Sequence, residues 1–499
     1  MKKVNKNKQK GMKKMPKKSV AKNYLYNLTY QVLILVLPLI TTPYISRVLG
    51  AEGIGIYGYT YSIVSYFILF GSLGVALYGQ REIAYASENK GERSRIFLEI
   101  LIFRFFTMFI SIAIYYFTFI KGTQYTIYYK ILLFELIAAA FDISWFFQGL
   151  EEFKKTVARN ILVRIVSVAL VFILVKNSED LVKYTLIYSL ADFIGNLTLW
   201  FYLPKYFKGQ KINNINIKRH LAPIILLFIP QIANQIYNML DKTMIGKIIE
   251  DKSEVGYYEQ SQKVIRLLLT IVTSLGTVMI PRMASTFASG NKEKVNQYMK
   301  NSFRFVFFLA YPLMFGIISI SGSFVPIFFG KGYEKSEILI NILSPIVLLM
   351  GVANVVGTQY LLPTKRQKEY TISIALGVVT NFILNSILIT LFNSIGACIA
   401  TILSQLAVDA LQLYRIRNDI NVKEMMFSGK KYFISSIVMF IVCCTIGKIM
   451  GNGSITMAIQ IFLGVISYIV ILFVLKDEYL KLFIEKVRKR VLGTVRPKH

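Results

Sequence analysis

The chain has 499 residues, is 55% hydrophobic with a mean hydropathy of +0.52, and carries a formal net charge of +31. Apolar runs of about 20 residues recur along its length, enough for a helix to cross roughly 30 Å of hydrocarbon, which excludes a soluble multidomain protein. Alternating ten-residue strands are missing, which excludes a spanning barrel, and the three cysteines lie inside apolar runs, which excludes a disulfide framework or a zinc site.

In chain order, residues 1–22 hold ten lysines and read as a basic cytoplasmic tail lying against anionic lipid. Apolar spans follow, numbered 1 to 14, at 24–46, 58–80, 97–118, 126–149, 156–176, 181–203, 221–246, 256–281, 301–320, 338–362, 370–390, 395–415, 431–450 and 454–475. The first is longer than a signal core, so no cleavable signal peptide is expected. With the N-terminus inside, most of the 58 Lys and Arg residues fall on cytoplasmic segments; the positive-inside rule thus puts both termini in the cytoplasm. The charge is spent on membrane orientation, and no nucleic-acid partner is implied. External links are short, the longest being 321–337.

The expected fold is an all-α membrane protein of about fourteen transmembrane helices. Residues 23–203 form an N-lobe and 221–415 a C-lobe, each of six spans, joined by a cytoplasmic linker at 204–220. Two extra spans occupy 431–475, and 476–499 reads as a basic amphipathic helix on the cytoplasmic surface. Pro38, Pro43, Pro230 and Pro345 are expected to kink helices, most Phe and Tyr to face lipid or the interface, and His220 and His499 to be loop and tail residues.

The two lobes repeat one another. Arg47/Lys247, Gly55/Gly256, Tyr57/Tyr258 and Arg81/Arg282 all keep a spacing of about 200 residues. Internal duplication is a frequent ground plan of membrane transporters, with the substrate path between repeats.

Buried charge then locates the chemistry, since each ionised group at mid-bilayer costs about 2.5–3.5 kcal/mol and needs a cavity or a partner. Arg104 and Arg164 sit about 10 Å in from the cytoplasmic side at 1.5 Å per residue, and Arg81 caps span 2 on the same side. Guanidinium suits phosphate, so these three form a candidate entry site for a lipid-linked diphosphate; the alternative pairs them with Glu135 and Asp142. Glu259, Lys263 and Arg266 form a polar stripe on span 8 that is expected to line a cavity. Asp241, Asn381, Asn385 and Thr401 offer hard oxygen ligands of the kind that suit a small cation, although interhelical Asn and Thr also serve as packing glue.

The segments Gly79-Gln80-Arg81-Glu82-Ile83-Ala84, Asp142-Ile143-Ser144-Trp145-Phe146-Phe147-Gln148-Gly149-Leu150-Glu151 followed by Phe153-Lys154 and Arg159-Asn160, Leu240-Asp241-Lys242-Thr243-Met244-Ile245-Gly246 and Gly276-Thr277-Val278-Met279-Ile280-Pro281-Arg282 resemble the bacterial polysaccharide repeat-unit flippases, within the multidrug/oligosaccharidyl-lipid/polysaccharide exporter superfamily. That resemblance implies two six-helix lobes around a central cavity that opens alternately to each side, with positive residues gripping an undecaprenyl-diphosphate-linked oligosaccharide. It also implies a cation site onto which Asp241, Asn381, Asn385, the Ala397 carbonyl and Thr401 can be laid. The candidate coupling ion is sodium or a proton; Asn385 stands where an acidic residue can occur, which weakens the case for sodium and leaves proton coupling or no coupling open.

The expected function is therefore transfer of undecaprenyl-diphosphate-linked repeat units to the outer leaflet of the bacterial plasma membrane, for capsule, exopolysaccharide or teichoic-type polymers. Arg81, Arg104, Arg164, Lys263 and Arg266 would contact the substrate and a polymerase of the same pathway would be a partner. No enzymatic activity and no cofactor beyond a coupling ion are expected. The alternatives are a cation-coupled drug antiporter of the same superfamily, which calls for an acidic cavity, and a polytopic polymerase or ligase, which calls for a sizeable external loop bearing catalytic groups.

Overall fold

A computed structural model of the protein describes residues 20–207 and 214–481. Among these residues there is no strand, and ten helices are long and apolar enough to cross a membrane. An eleventh is added if Ser253–Thr273 and Val278–Ala288, bent by 42°, count as one span. The helix Lys218–Ile248, which carries Asp241 and Lys242, is not among the ten. Polar residues set into this helix lower its apolarity, which leaves it dependent on neighbouring helices.

Two helices each run from one of the sequence's spans into the next, span 2 continuing beyond Ser72 into the helix Val75–Tyr85. Val20–Ser72 is broken at Gly50 (φ 68°, ψ 177°), and Gln367–Ile416 at Asn393 (φ 53°, ψ −134°). The break in the first falls at the glycine and not at Pro38 or Pro43, because only glycine takes that backbone geometry without strain. Pro345 does end a helix, separating Glu334–Leu343 from Ile346–Ala353. The expected 17-residue external link is mostly helical, since Lys292–Phe328 continues through it and Glu334 opens the next helix. The basic tail at 1–19 and the amphipathic helix beyond 481 lie outside the described residues, as does His499.

The chain divides into two compact units. Among the described residues, the first comprises 20–40, 67–175, 182–207 and 214–228; the second comprises 41–66, 176–181 and 229–481. The core of the first unit is aromatic. Trp145, Phe146 and Phe147 are fully buried, with Trp145 stacked on Phe97 at 5.4 Å between ring centroids. The expectation that aromatic residues chiefly face lipid thus fails here. A Cβ on Gly79 would come within 2.4 Å of the Trp145 ring, and one on Gly149 within 2.6 Å of the Gln80 carbonyl. The motif segments 79–84 and 142–151 are therefore two sides of one joint. Trp145→Ala should destabilise this unit by about 3–5 kcal/mol, read as a lowered thermal midpoint in detergent; an unchanged midpoint would remove Trp145 from the core.

In the second unit, segment 41–66 is held by its sequence counterpart. A Cβ on Gly55 would lie 1.7 Å from the Lys252 carbonyl oxygen, and one on Gly256 would lie 1.9 Å from that of Ala51. The contact is reciprocal: Ala51 meets Gly256 as Lys252 meets Gly55. Nearby, Gln260 donates to Ser46 (2.7 Å) and Thr243 to Ser62 (2.8 Å). The repeat seen in sequence is thus also a packing pair, possible because two glycines let the backbones touch.

Candidate functional site

The second unit assembles the oxygen-rich constellation. Asp241 comes from Lys218–Ile248, Asn381 and Asn385 from one face of span 11, and Thr401 from span 12, one turn beyond Ala397. All four are buried, Asp241 being 2% exposed. Asn385 Nδ2 donates to Asp241 Oδ1 (2.7 Å) and to Asn381 Oδ1 (3.0 Å). Thr401 Oγ1 reaches Asp241 Oδ2 at 3.0 Å and the Ala397 carbonyl at 2.8 Å. Tyr258, fully buried, also donates its hydroxyl to Asp241 Oδ2, and Gln262 donates to the Tyr258 oxygen (3.1 Å). Sequence reasoning had Tyr258 only as the repeat partner of Tyr57; its place in the helix turn facing span 7 was the missed signal.

Asp241 is the single formal charge of this cluster, and Asn385 Oδ1 and Asn381 Nδ2 are buried without a hydrogen-bond partner. An orphaned amide oxygen beside a carboxylate is an acceptor still to be satisfied. Five oxygens (from Asp241, Asn381, Asn385, Ala397 and Thr401) with one negative charge fit a small monovalent cation better than a divalent one, which collects several carboxylates. No group of three or more His, Cys, Asp or Glu with metal-holding geometry occurs among the described residues.

Alongside runs the cationic stripe. Lys242 Nζ lies 2.7 Å from Glu259 Oε2, and Lys263 Nζ lies 3.7 Å from Glu259 Oε1. Arg266, on the same face of span 8, is exposed within the unit and donates to Gln262 Oε1 (3.0 Å). One carboxylate thus faces two ammonium groups, with a guanidinium two turns from Glu259 to continue the stripe. Its net charge is positive.

The first unit treats its three arginines differently. Arg104 is 3% exposed, donating from Nε (2.9 Å) and Nη2 (2.5 Å) to the Ala139 carbonyl, with Asp142 Oδ2 at 3.7 Å. Arg164 is half-buried and acts electrostatically on Glu135 and Asp192. Arg81 is exposed, pairs with its neighbour Glu82 at 3.0 Å and lies over the Tyr78 ring. Asp142, beside Arg104, also acts electrostatically on Asp192, the neighbour of Arg164, whereas Arg81 pairs with Glu82.

His220 is not a loop residue. It is 1% exposed in the first turn of Lys218–Ile248, where Nε2 lies 2.8 Å from Glu99 Oε2 and Nδ1 lies 2.7 Å from the Tyr78 hydroxyl. Glu99, fully buried, also accepts from the Asn216 backbone (2.7 Å) and from Arg219 (2.9 Å). A lone Glu in the first turns of an apolar span was the signal for this anchor, since a buried carboxylate requires such partners.

Known protein families, relatives and solved structures resemble this chain. The family described as "Polysaccharide biosynthesis protein" matches residues 20–287, and "Lipid II flippase MurJ" matches 217–473. The chain is 27% identical over 416 residues to the "Putative O-antigen transporter" of Escherichia coli (strain K12), covering 81% of this chain and 98% of that protein. It is 26% identical over 316 residues to the "Probable low-salt glycan biosynthesis flippase Agl15" of Haloferax volcanii, covering 63% and 66%. Among solved structures, the lipid II flippase MurJ in an inward closed conformation aligns with a TM-score of 0.64 at 15% identity, over 92% of this chain and all of that one. An outward-facing multidrug resistance transporter of the MATE family aligns at 0.53 and 12% identity, over 81% and 94%. The chain belongs to the polysaccharide biosynthesis protein family, also matches the lipid II flippase MurJ family over its second half, and is a multi-pass membrane transporter and not an enzyme.

Proposed function

We propose that the protein moves an undecaprenyl-diphosphate-linked oligosaccharide repeat unit from the inner to the outer leaflet of a bacterial plasma membrane, for assembly of a capsule, exopolysaccharide or teichoic-type polymer. Both termini are cytoplasmic in this reading, and a polymerase of the same pathway receives the cargo. The observation that carries it is the positive stripe of Lys242, Lys263 and Arg266 around the single carboxylate of Glu259. A surplus of cationic donors on two facing helices, Arg266 exposed and Lys242 and Lys263 half-buried, suits a diphosphate, which brings its own negative charge and several acceptor oxygens. Arg81 and Arg164 are, by themselves, the candidate cationic contacts of the first unit. Arg104, held by Ala139 and Asp142, acts by bracing the joint around 142–151. The Asp241 cluster carries the coupling ion, sodium or a proton, and Asp241 with Asn381, Asn385 and Thr401 holds it.

Purified protein in proteoliposomes, supplied with a fluorescent lipid-diphosphate oligosaccharide on one leaflet, tests this reading. Transfer to the other leaflet is expected without lengthening of the sugar. Arg266→Glu should lower transfer about ten- to hundredfold, the range for losing a charge-assisted hydrogen bond of about 1.5–3 kcal/mol. Unchanged transfer would remove Arg266 from the substrate path.

A further inference from the structure

A second acidic residue of the C-lobe takes no part in the Asp241 cluster. Asp409 lies on span 12 eight residues beyond Thr401, about 12 Å along the helix. It is 5% exposed. Gln405 Nε2 donates to its Oδ1 (2.9 Å), while Oδ2 is buried with no hydrogen-bond partner. No charged side chain among the described residues acts on it electrostatically. An ionised carboxylate left this way is costly, since burying a charge requires pairing and full hydrogen bonding.

Gln405 and Gln412 flank Asp409 at i−4 and i+3, and both line a cavity of about 260 Å³. That volume has room for several waters at roughly 30 Å³ each. Its titratable lining groups are Tyr237 from span 7 and Tyr370 from span 11. Spans 8 and 10 add only neutral ones, including Thr273, Asn354 and Thr358. Asn354–Leu361 is a π-helical segment, whose widened turns are frequent at functional sites.

The same glutamine leads toward the first cluster. The Tyr237 hydroxyl donates to Gln405 Oε1 (3.4 Å) and approaches the Thr401 carbonyl (3.5 Å), and Thr401 Oγ1 bonds Asp241 (3.0 Å). A change of charge at Asp409 would turn the Gln405 amide and be felt at Asp241 through Tyr237 and Thr401.

We propose that Asp409 is a proton-binding station of the C-lobe, loaded from the adjoining cavity and linked to the Asp241 cluster through Gln405, Tyr237 and Thr401. The ligand is a proton and not a metal ion because Gln405 turns its N–H toward the carboxylate, and one carboxyl alone lacks the oxygens a metal collects. Loading forms one O–H bond at the carboxyl, the proton coming from water in the cavity, and unloading returns it. Intramembrane carboxyls of transporters are typical proton carriers. The purpose of the station rests on the transport reading; its detection does not.

The test uses the full chain in proteoliposomes and dicyclohexylcarbodiimide, which modifies protonated carboxyls in apolar surroundings, with the labelled peptide identified by mass spectrometry at a series of pH values. Labelling at Asp409 is expected, rising as pH falls. Asp409→Asn, which mimics the protonated form and should fold, is expected to lose that label together with a carboxylic-acid infrared band that titrates in the parent. Asp241→Asn should shift the pH at which Asp409 is labelled, and Gln405→Leu should abolish that shift while keeping the label. No label at Asp409, or an infrared band that survives Asp409→Asn, overturns the station. A labelling midpoint that ignores Asp241→Asn overturns the link. Neither outcome needs a lipid-linked sugar, so failure here is distinguishable from failure of the leaflet-transfer assay.

Discussion

Replacing Asp241 by leucine should abolish transfer and destabilise the second unit by about 3–5 kcal/mol, the range for removing one partner of a buried charged network. Three donors converge on this carboxylate: Asn385 Nδ2 at 2.7 Å, Thr401 Oγ1 at 3.0 Å and the Tyr258 hydroxyl. Leucine is bulkier and apolar, and leaves those donors, all buried, without an acceptor. Each orphaned group then carries a desolvation penalty of about 1–3 kcal/mol. Asp241→Asn separates folding from ion coupling. It keeps one oxygen as an acceptor, so the thermal midpoint should fall far less, while the only charge of the oxygen cluster is gone. Transfer driven by a sodium or proton gradient should be lost in both variants. Asp241→Asn with parental transfer and parental dependence on the gradient would show that the coupling ion is held elsewhere.

Gly55→Leu and Gly256→Leu should each cut transfer at least tenfold without preventing membrane insertion. The added side chain would have to displace a carbonyl oxygen now 1.7 or 1.9 Å from where its Cβ would stand. Backbone cannot give way as a flexible side chain does, and forced overpacking costs about 1–3 kcal/mol or more, equivalent to roughly five- to over a hundredfold in an equilibrium. Segment 41–66 would then fail to seat within its unit. A cysteine at Ala51, 9% exposed in the native contact, should react faster with a polar thiol reagent in the Gly256→Leu background. Gly58→Ala is the control, because its Cβ would meet nothing closer than Val255 Cγ1 at 3.5 Å, an ordinary contact. Equal thiol reactivity in parent and Gly256→Leu would mean that the glycine contact does not hold the segment.

The Asp241 constellation was readable before any coordinates because helical spacing carried it. Asn381 and Asn385 share a face at i and i+4, as do Ala397 and Thr401, so only the approach of three helices remained to be found. The stripe of Glu259, Lys263 and Arg266 was readable for the same reason. The pairing of Lys242 with Glu259 joins two helices, and no periodicity within one helix reports that. The arginines of the first half show the limit from the other side. Sequence puts Arg104 at a depth where it needs a partner, yet whether that partner is cargo or Asp142 depends on how the chain turns at Phe141–Ile143.

Composition and periodicity were enough to establish an all-helical membrane chain, because hydrocarbon permits few alternatives to a twenty-residue apolar helix. Residues far apart in the chain had to meet before the rest could be read. Gly55 against Lys252, His220 on Glu99, Tyr258 on Asp241 and the unsatisfied oxygen of Asp409 all arise from contacts between helices. The physical reason is that a backbone satisfied within its own helix leaves helix-to-helix registration to side-chain fit and buried polar pairs, and those are set by three-dimensional approach rather than by local pattern.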